Sequence, residues 1–212
     1  LGGLFTKIDN SIYFVPIFGK KMEKKISTKQ RILDTASNLF YYQGFNNTGI
    51  NQIIAEADVA IGSLYKHYRS KNDLLYSYLQ AEEEKFFTNL NEYLGKARDP
   101  KEKLLKLVDF RIRLQEEAQC SGCHFIKINA ELGRKDECVN EMVLNHKAKQ
   151  KAHLHEILDE ISPSGSQPLE TSLLANILFL MIEGAVVSAT ITGDTNELKS
   201  VKAYIQQLFQ SI

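Results

Sequence analysis

Between residues 61 and 71 the chain gathers side chains of the kind used to read a DNA duplex. Gly62 and Ser63 have little bulk, so the backbone there can approach DNA closely, and the Ser63 hydroxyl can bond a base edge or a phosphate. Tyr65, His67 and Lys71 supply hydrogen-bonding or cationic groups where a phosphate backbone would pass. Lys66 is a cation suited to guanine, and Ile61 offers an apolar side chain to a thymine methyl. Asn51 can assist from the element before.

Two further constellations could carry chemistry. Phe125, Ile128, Asn129 and Leu132 share one helical face, and Met142, His146, Gln150, His153 and Ile157 share another. Polar groups that interrupt apolar faces on neighbouring helices are what a small-molecule pocket needs to orient its occupant. Phe86, Phe110 and Arg111 can complete such a pocket. The competing reading is that these polar groups lie at an exposed margin or satisfy one another in the core.

The second constellation is Cys120-Ser121-Gly122-Cys123-His124, which matches the C-x-x-C-H haem pattern. Haem attachment requires export, and no export signal is legible. A metal site from Cys120, Cys123, His124 and Cys138 lacks a second C-x-x-C or H-x-x-x-H. A thiol switch through Cys120, Cys123 and Cys138 is a further reading. The preferred one is structural thiols at a helix junction, with no cofactor and no metal. His146 and His153 could serve an enzyme as acid and base, but no nucleophile–base pairing or phosphate loop accompanies them, and the chain is not expected to be an enzyme.

The elements that must position these residues are helices. Ile50, Ile53, Ile54 and Ala57 fall on one face of a short helix that Thr48 can cap. Asp58-Val59-Ala60 makes a turn, and residues 61–68 form a second short helix that turns Leu64 inward. Ser70-Lys71-Asn72-Asp73 reads as a capping box opening a long helix to about residue 94. Upstream, Ser27 with Gln30 opens a helix that stops at Gly44. Further helices are expected over about 101–118, 124–132, 136–161, 169–192 and 195–211, with a loop at 162–168. No segment alternates with period two for long enough to suggest a strand. The expectation is an all-α chain of about nine helices.

The 212 residues are 43% hydrophobic and 25% charged, an ordinary globular composition. Net charge is zero, but residues 1–80 carry ten Lys/Arg against six Asp/Glu and the remainder sixteen against twenty, a split of +4 and −4. That is a weakly basic head on an acidic body, so DNA affinity would rest on a few well-placed phosphate contacts. Three cysteines fit a reducing cytoplasm better than a disulfide framework. Residues 1–21 look foreign to the fold: Met22 reads as a natural start, and 1–21 as upstream sequence or an arm whose flanking Lys20, Lys21, Lys24 and Lys25 could touch phosphate. The run 177–191 is nearly all apolar but reads as too short and too interrupted by Glu183 to span a membrane. With small Gly184, Ala185 and Ser188 it looks instead like a helix buried on more than one side.

The residues G-x-L-Y-x-H-Y-x-S-K-x-x-L at 62–74, with Gly44-Phe45 and Thr48 before them, closely resemble the DNA-binding domain of the TetR (tetracycline-repressor-like) family of bacterial transcriptional regulators. The resemblance covers roughly residues 27–80. It implies a three-helix DNA-binding head over 26–86, with the helix-turn-helix proper at about 49–68, and an effector-binding and dimerisation domain over 87–212. It further implies phosphate contacts from Tyr65, His67, Lys71 and Thr48. Its partners would be double-stranded operator DNA, a second copy of the chain and a small-molecule effector, with no membrane. The last two helices would form the homodimer interface, through Ile177, Met181, Gly184, Ala185, Ser188, Val201, Ile205 and Leu208. The resemblance implies a repressor released from a near-palindromic operator. Two positions depart from the family pattern. Asp58 stands where Gly is frequent, and Ala60-Ile61 replace a Ser or Thr that would cap the recognition helix.

Overall fold

The computed structural model describes residues 5–8, 11–14, 26–161 and 168–210. Among them, nine helices carry the fold: α1 (Thr28–Tyr42), α2 (Ile50–Glu56), α3 (Ile61–His67), α4 (Lys71–Leu94), α5 (Pro100–Glu117), α6 (His124–Leu132), α7 (Glu137–Ile161), α8 (Pro168–Thr192) and α9 (Asn196–Gln210). A short antiparallel hairpin, β1 (Phe5–Ile8) and β2 (Ser11–Phe14), pairs Phe5 with Phe14 and Ile8 with Ser11. No strand was expected; four-residue strands are too short for a period-two pattern to stand out. The four lysines near Met22, most of the arm expected over 1–21, and the loop at 162–167 lie outside the described residues.

Local chemistry sets the helix boundaries. Ser70 accepts from Asp73 N at 3.0 Å, and the Asp73 carboxylate accepts from Arg69 N at 2.8 Å, so the box that opens α4 closes in both directions. At α1 only half of the expected box forms. Ser27 accepts from Gln30 N, while the Gln30 side chain turns forward to Asp34. Asp99 caps α5, whose first residue is Pro100, where a missing N–H costs nothing. Asp136 accepts from Val139 N and starts α7.

Two hydrophobic cores result. The first joins α1 to α3 and the N-terminal half of α4 through Ile32, Ala36, Phe40, Ile53, Leu64, Tyr68 and Leu75, and is closed by Phe125 and Ile128 of α6 and Val139 and Val143 of α7. The second joins the C-terminal half of α4 to α5, α7, α8 and α9 through Leu104, Val108, Leu154, Leu178, Val186, Leu198 and Ile205. Helices α4 and α7 contribute to both, and α6 packs on the head. Helices α4 and α7 thus connect the two cores.

Helix α8 corrects one expectation. Residues Thr171–Thr192, 22 residues with a mean hydropathy of 1.9, are by length and composition long and apolar enough to cross a membrane. One face packs in the second core, and Glu183 is held by Arg111 and Lys147. These contacts are those of a core helix with a second apolar side.

Candidate nucleic-acid interface and effector site

The turn between α2 and α3 is built as the sequence suggests. Asp58 sits at φ 51°, the left-handed region that Gly adopts freely and Asp tolerates, and its carbonyl accepts from the Arg31 guanidinium at 3.3 Å. Ala60 is the N-cap of α3 and gives no side-chain cap. Leu64 is buried and anchors α3, which leaves its other faces to solvent: Ile61 is 49% exposed and Tyr65 48%, with Gly62, Lys66 and His67 exposed and Ser63 half-buried. A Cβ on Gly62 would meet nothing within 4 Å, so this surface is open. The side chains of Ser63, Tyr65, Lys66 and His67 make no hydrogen bond or ion pair with any described residue. Asn51 is exposed beside them, on the rim of a shallow depression with Ile54, Ala55, Asp58, Val59 and Ala60.

Two of the expected DNA-facing residues are placed differently. Thr48 does not cap α2, whose N-cap is Gly49; it is 1% exposed and its hydroxyl donates to Gly44 O at 2.7 Å. Its side chain has no surface to offer a phosphate. Lys71 is half-buried with its ammonium 4.1 Å from the centre of the Phe45 ring, and burial lowers its pKa. The cation is spent partly on holding the Gly44–Thr48 loop.

That loop is also tied to α6. The Glu131 carboxylate accepts from Phe45 N at 3.0 Å and from Asn46 N at 2.7 Å. Tyr41 of α1 donates to Gly122 O at 2.8 Å and stacks on His124. Tyr78 of α4 bonds His124 Nδ1 at 2.5 Å. Burial, with Lys85 and Lys127 nearby, pushes His124 down to about 3, so the ring is neutral and Nδ1 accepts from the tyrosine. Tyr76 and Asn72 of α4 both donate to Asp136, which caps α7. None of these contacts is legible in the sequence, because the partners are neighbours only in space.

In the second core, Phe86, Arg111 and Gln150 line a small cavity of about 20 Å³ with Leu90, Leu107, Leu154, Phe179, Ile182 and Glu183. Arg111 bonds Glu183 at 2.8 Å and Lys147 bonds the other Glu183 oxygen. Burial pushes the Glu183 carboxyl up, but the two cations outweigh it and hold it below its usual range. His146 is 1% exposed and bonds Gln150 at 3.0 Å; burial and the cations around it push it down to about 3. The other expected pocket residues are elsewhere. Phe110 packs edge-on to Phe86 behind the cavity, and Met142 lines a separate outer cavity with Glu83, Phe125, Asn145, Ala148 and Lys149. Asn129 is exposed, because α6 turns Phe125 and Ile128 into the head and that face of the helix ends there.

The three cysteines do not converge: Cys120 is buried, Cys123 half-buried and Cys138 exposed. Among the described residues no three His, Cys, Asp or Glu side chains come together to hold a metal ion. His146 is buried, whereas His153 is exposed and bonds Lys149 O and Asn91, so the two share no site.

The surface of α8 is apolar along one line. Leu173, Ile177, Leu180, Val187 and Ile191 are exposed at alternating spacings of three, four and seven, with exposed Gly184 between Leu180 and Val187. Tyr204 of α9 is exposed as well. Of the residues expected at an interface, Ile177 and Gly184 are on this stripe, and Met181, Ser188 and Leu208 are half-buried. Ala185, Val201 and Ile205 are buried in the chain's own core, because their faces of α8 and α9 pack on each other and on α5.

Residues 32–77 match the family model described as bacterial regulatory proteins, tetR family. HTH-type transcriptional regulators of Staphylococcus aureus strains USA300 and NCTC 8325 are 34% identical over 64 residues, 30% of this chain and 35% of theirs, so the chain matches about a third of the length of these curated relatives. Among solved structures, a TetR-family transcriptional regulator from Streptomyces coelicolor superposes with a TM-score of 0.74 at 22% identity, over 85% of this chain and 95% of that one. The reduced form of Escherichia coli NemR gives 0.72 at 22%, over 85% and 95%. A Saccharomonospora viridis protein in complex with choline gives 0.71 at 19%, over 86% and 95%. These likenesses establish the fold, and the matched family model and curated relatives are described as regulators.

Proposed function

We propose that the chain is a member of the TetR family of bacterial regulatory proteins, whose family model its residues 32–77 match, and that it is a homodimeric, cytoplasmic transcriptional regulator whose head, residues 26–86, binds operator DNA and whose body, residues 87–212, dimerises and takes a small-molecule effector. The single observation that carries the reading is the exposed face of α3. Ile61, Gly62, Ser63, Tyr65, Lys66 and His67 lie on a helix anchored by one buried leucine and a left-handed turn, and their polar side chains are uncommitted to the rest of the protein. Ser63, Lys66 and Ile61 read bases, Tyr65 and His67 contact phosphates, Asn51 assists, and Lys71 acts at the edge.

The near-zero net charge makes one head a weak binder, so affinity depends on pairing two. The apolar stripe on α8 supports that pairing: a second copy laid against Leu173, Ile177, Leu180, Gly184, Val187 and Ile191 buries a continuous seam, and Gly184 lets the helices approach closely. The two recognition helices then face successive major grooves roughly 34–36 Å apart. The effector occupies the cavity beside Arg111 and Glu183. It favours a head spacing that does not fit DNA, and the output is repression relieved by ligand. The test is sedimentation and DNA titration together: dimers that bind specific DNA and lose it when Leu180→Glu makes them monomers support the reading, and a stable wild-type monomer refutes it.

A second reading, thiol sensing, is favoured by one contact: the Lys147 ammonium lies 3.6 Å from Cys123 Sγ. It requires that replacing Cys120, Cys123 and Cys138 by Ser abolish an oxidant response while DNA binding survives.

A further inference from the structure

His146 stands between the two cavities. Its ring is edge-on to Phe86 on the inner wall at 5.1 Å and bonds Gln150, also on that wall. On the other side it stacks on Phe125 of the outer wall, centroids 3.7 Å apart and planes 7° from parallel. The inner cavity leaves about 20 Å³ for the centre of a water-sized sphere, room for about one water, so a larger occupant must part its walls. The outer one is about 260 Å³. A molecule passing from the outer cavity to the inner wall along this line must displace the ring.

The bonding around the ring fixes its proton. Gln150 Oε1 receives the Lys147 ammonium at 3.5 Å, so the Gln150 amide nitrogen is the atom that faces His146 Nε2 and donates to it. The imidazole proton of the neutral ring then sits on Nδ1. That atom is buried and has no hydrogen-bond partner. Glu83 Oε1 is 3.8 Å away, too far for a bond, and Glu83 is engaged by Lys149 at 2.9 Å. A buried donor without an acceptor is uncommon and points to an absent partner. The charge nearby points the same way. Arg111 and Lys147 share one carboxylate, Glu183, leaving a surplus positive charge beside walls of Phe86, Leu90, Leu154, Phe179 and Ile182.

We propose that the effector is a small amphiphilic carboxylate, admitted from the outer cavity when the His146 ring swings aside, with the Nδ1–H of His146 and the surplus cation of the Arg111–Glu183–Lys147 cluster receiving its carboxylate and the inner apolar walls its tail. This rests on the reading of the body as an effector domain. The swing couples to DNA directly. Phe125 loses its stacking partner, Phe125 belongs to α6, and α6 holds the head through Glu131.

The experiment measures melting temperature and binding heat of the full chain with hexanoate, decanoate and phenylacetate, and with their amides, decylamine and choline. Carboxylates are expected to raise the melting temperature and bind at least tenfold more tightly than the matching amides. His146→Phe, which keeps an aromatic ring but removes the donor, should lose tenfold or more in carboxylate affinity, and His146→Gln, which restores an N–H, should recover part of it; the ligand-free melting temperature of each variant reports folding. Amides or amines binding as well as carboxylates overturn the ligand class, and full affinity in a folded His146→Phe protein overturns the role of the ring. Wild-type protein that binds none of the three carboxylates overturns the proposal as a whole. In that event, release of operator DNA by an amide, decylamine or choline still upholds the effector domain, and release by none of them counts against that reading too.

Discussion

Replacing Glu131 by Ala should uncouple the head from the body. The carboxylate accepts two backbone N–H groups, from half-buried ground at Phe45 and exposed ground at Asn46. A hydrogen bond to a charged group contributes roughly 1.5–3 kcal/mol when its partner is left without a substitute. The Asn46 N–H regains water when freed, so its share is small, and the pair together should be worth about 2 kcal/mol. The same charge supports the half-buried ammoniums of Lys71 and Lys127, which burial otherwise disfavours. Urea unfolding followed by circular dichroism reads the loss as a lower midpoint at unchanged slope. Glu131→Gln keeps one acceptor oxygen and should lose about half as much. Because Glu131 links α6 to the loop ahead of α2, Glu131→Ala should also blunt ligand-induced release of DNA more than it weakens DNA binding. A stability change below about 0.5 kcal/mol with an unaltered ligand response would falsify the argument.

Three further outcomes are expected. Stability should fall with acidity from about pH 6.5 toward pH 5, because His124 and His146 are held neutral in the folded protein, with pKa values of about 3, while unfolded imidazoles bind protons below 6.5. The unfolded state then carries more protons, so stability rises with pH by up to about 1.4 kcal/mol per unit for each ring; replacing both histidines by Asn should flatten the curve, and an unchanged slope would contradict the assignment. Lys66→Ala should change base preference at one symmetric operator position by about 1–3 kcal/mol, read by titration of single-base operator variants. Tyr65→Phe with His67→Ala should instead weaken binding to every sequence about equally, and a selective effect would move these residues from phosphate to base contact.

What could be read from the sequence follows the range of the forces involved. Helix starts at Ser27, Ser70 and Asp136 and the turn at Asp58 are local, set by a side chain and a backbone group three or four residues apart, and they are legible. The exposed face of α3 was legible too, since one buried leucine orients seven residues. Thr48 was misplaced because a threonine just before a helix satisfies the capping rule as well from the interior, where its hydroxyl serves Gly44 O, as from the N-cap. Asn129 was misplaced because its helix packs on the head, so the face it shares with Phe125 and Ile128 ends before reaching the body. On α8 the sequence shows that two sides are apolar but not which faces inward. The exposed stripe from Leu173 to Ile191 is periodic, yet only packing separates it from buried Leu178, Ile182 and Ala185. The contacts of Glu131 with Phe45 and of Tyr41 with Gly122 and His124 span 80 residues or more and leave no local trace.

The central claim is that paired α3 helices read a specific DNA sequence. Selection of bound duplexes from a random library by the full chain, followed by sequencing, tests it directly. The account predicts enrichment of a near-palindrome whose half-sites lie roughly one helical turn apart, abolished in Leu180→Glu and altered at one symmetric position in Lys66→Ala. Recovery of no motif above the random background, or of a motif unaffected by either substitution, would contradict it.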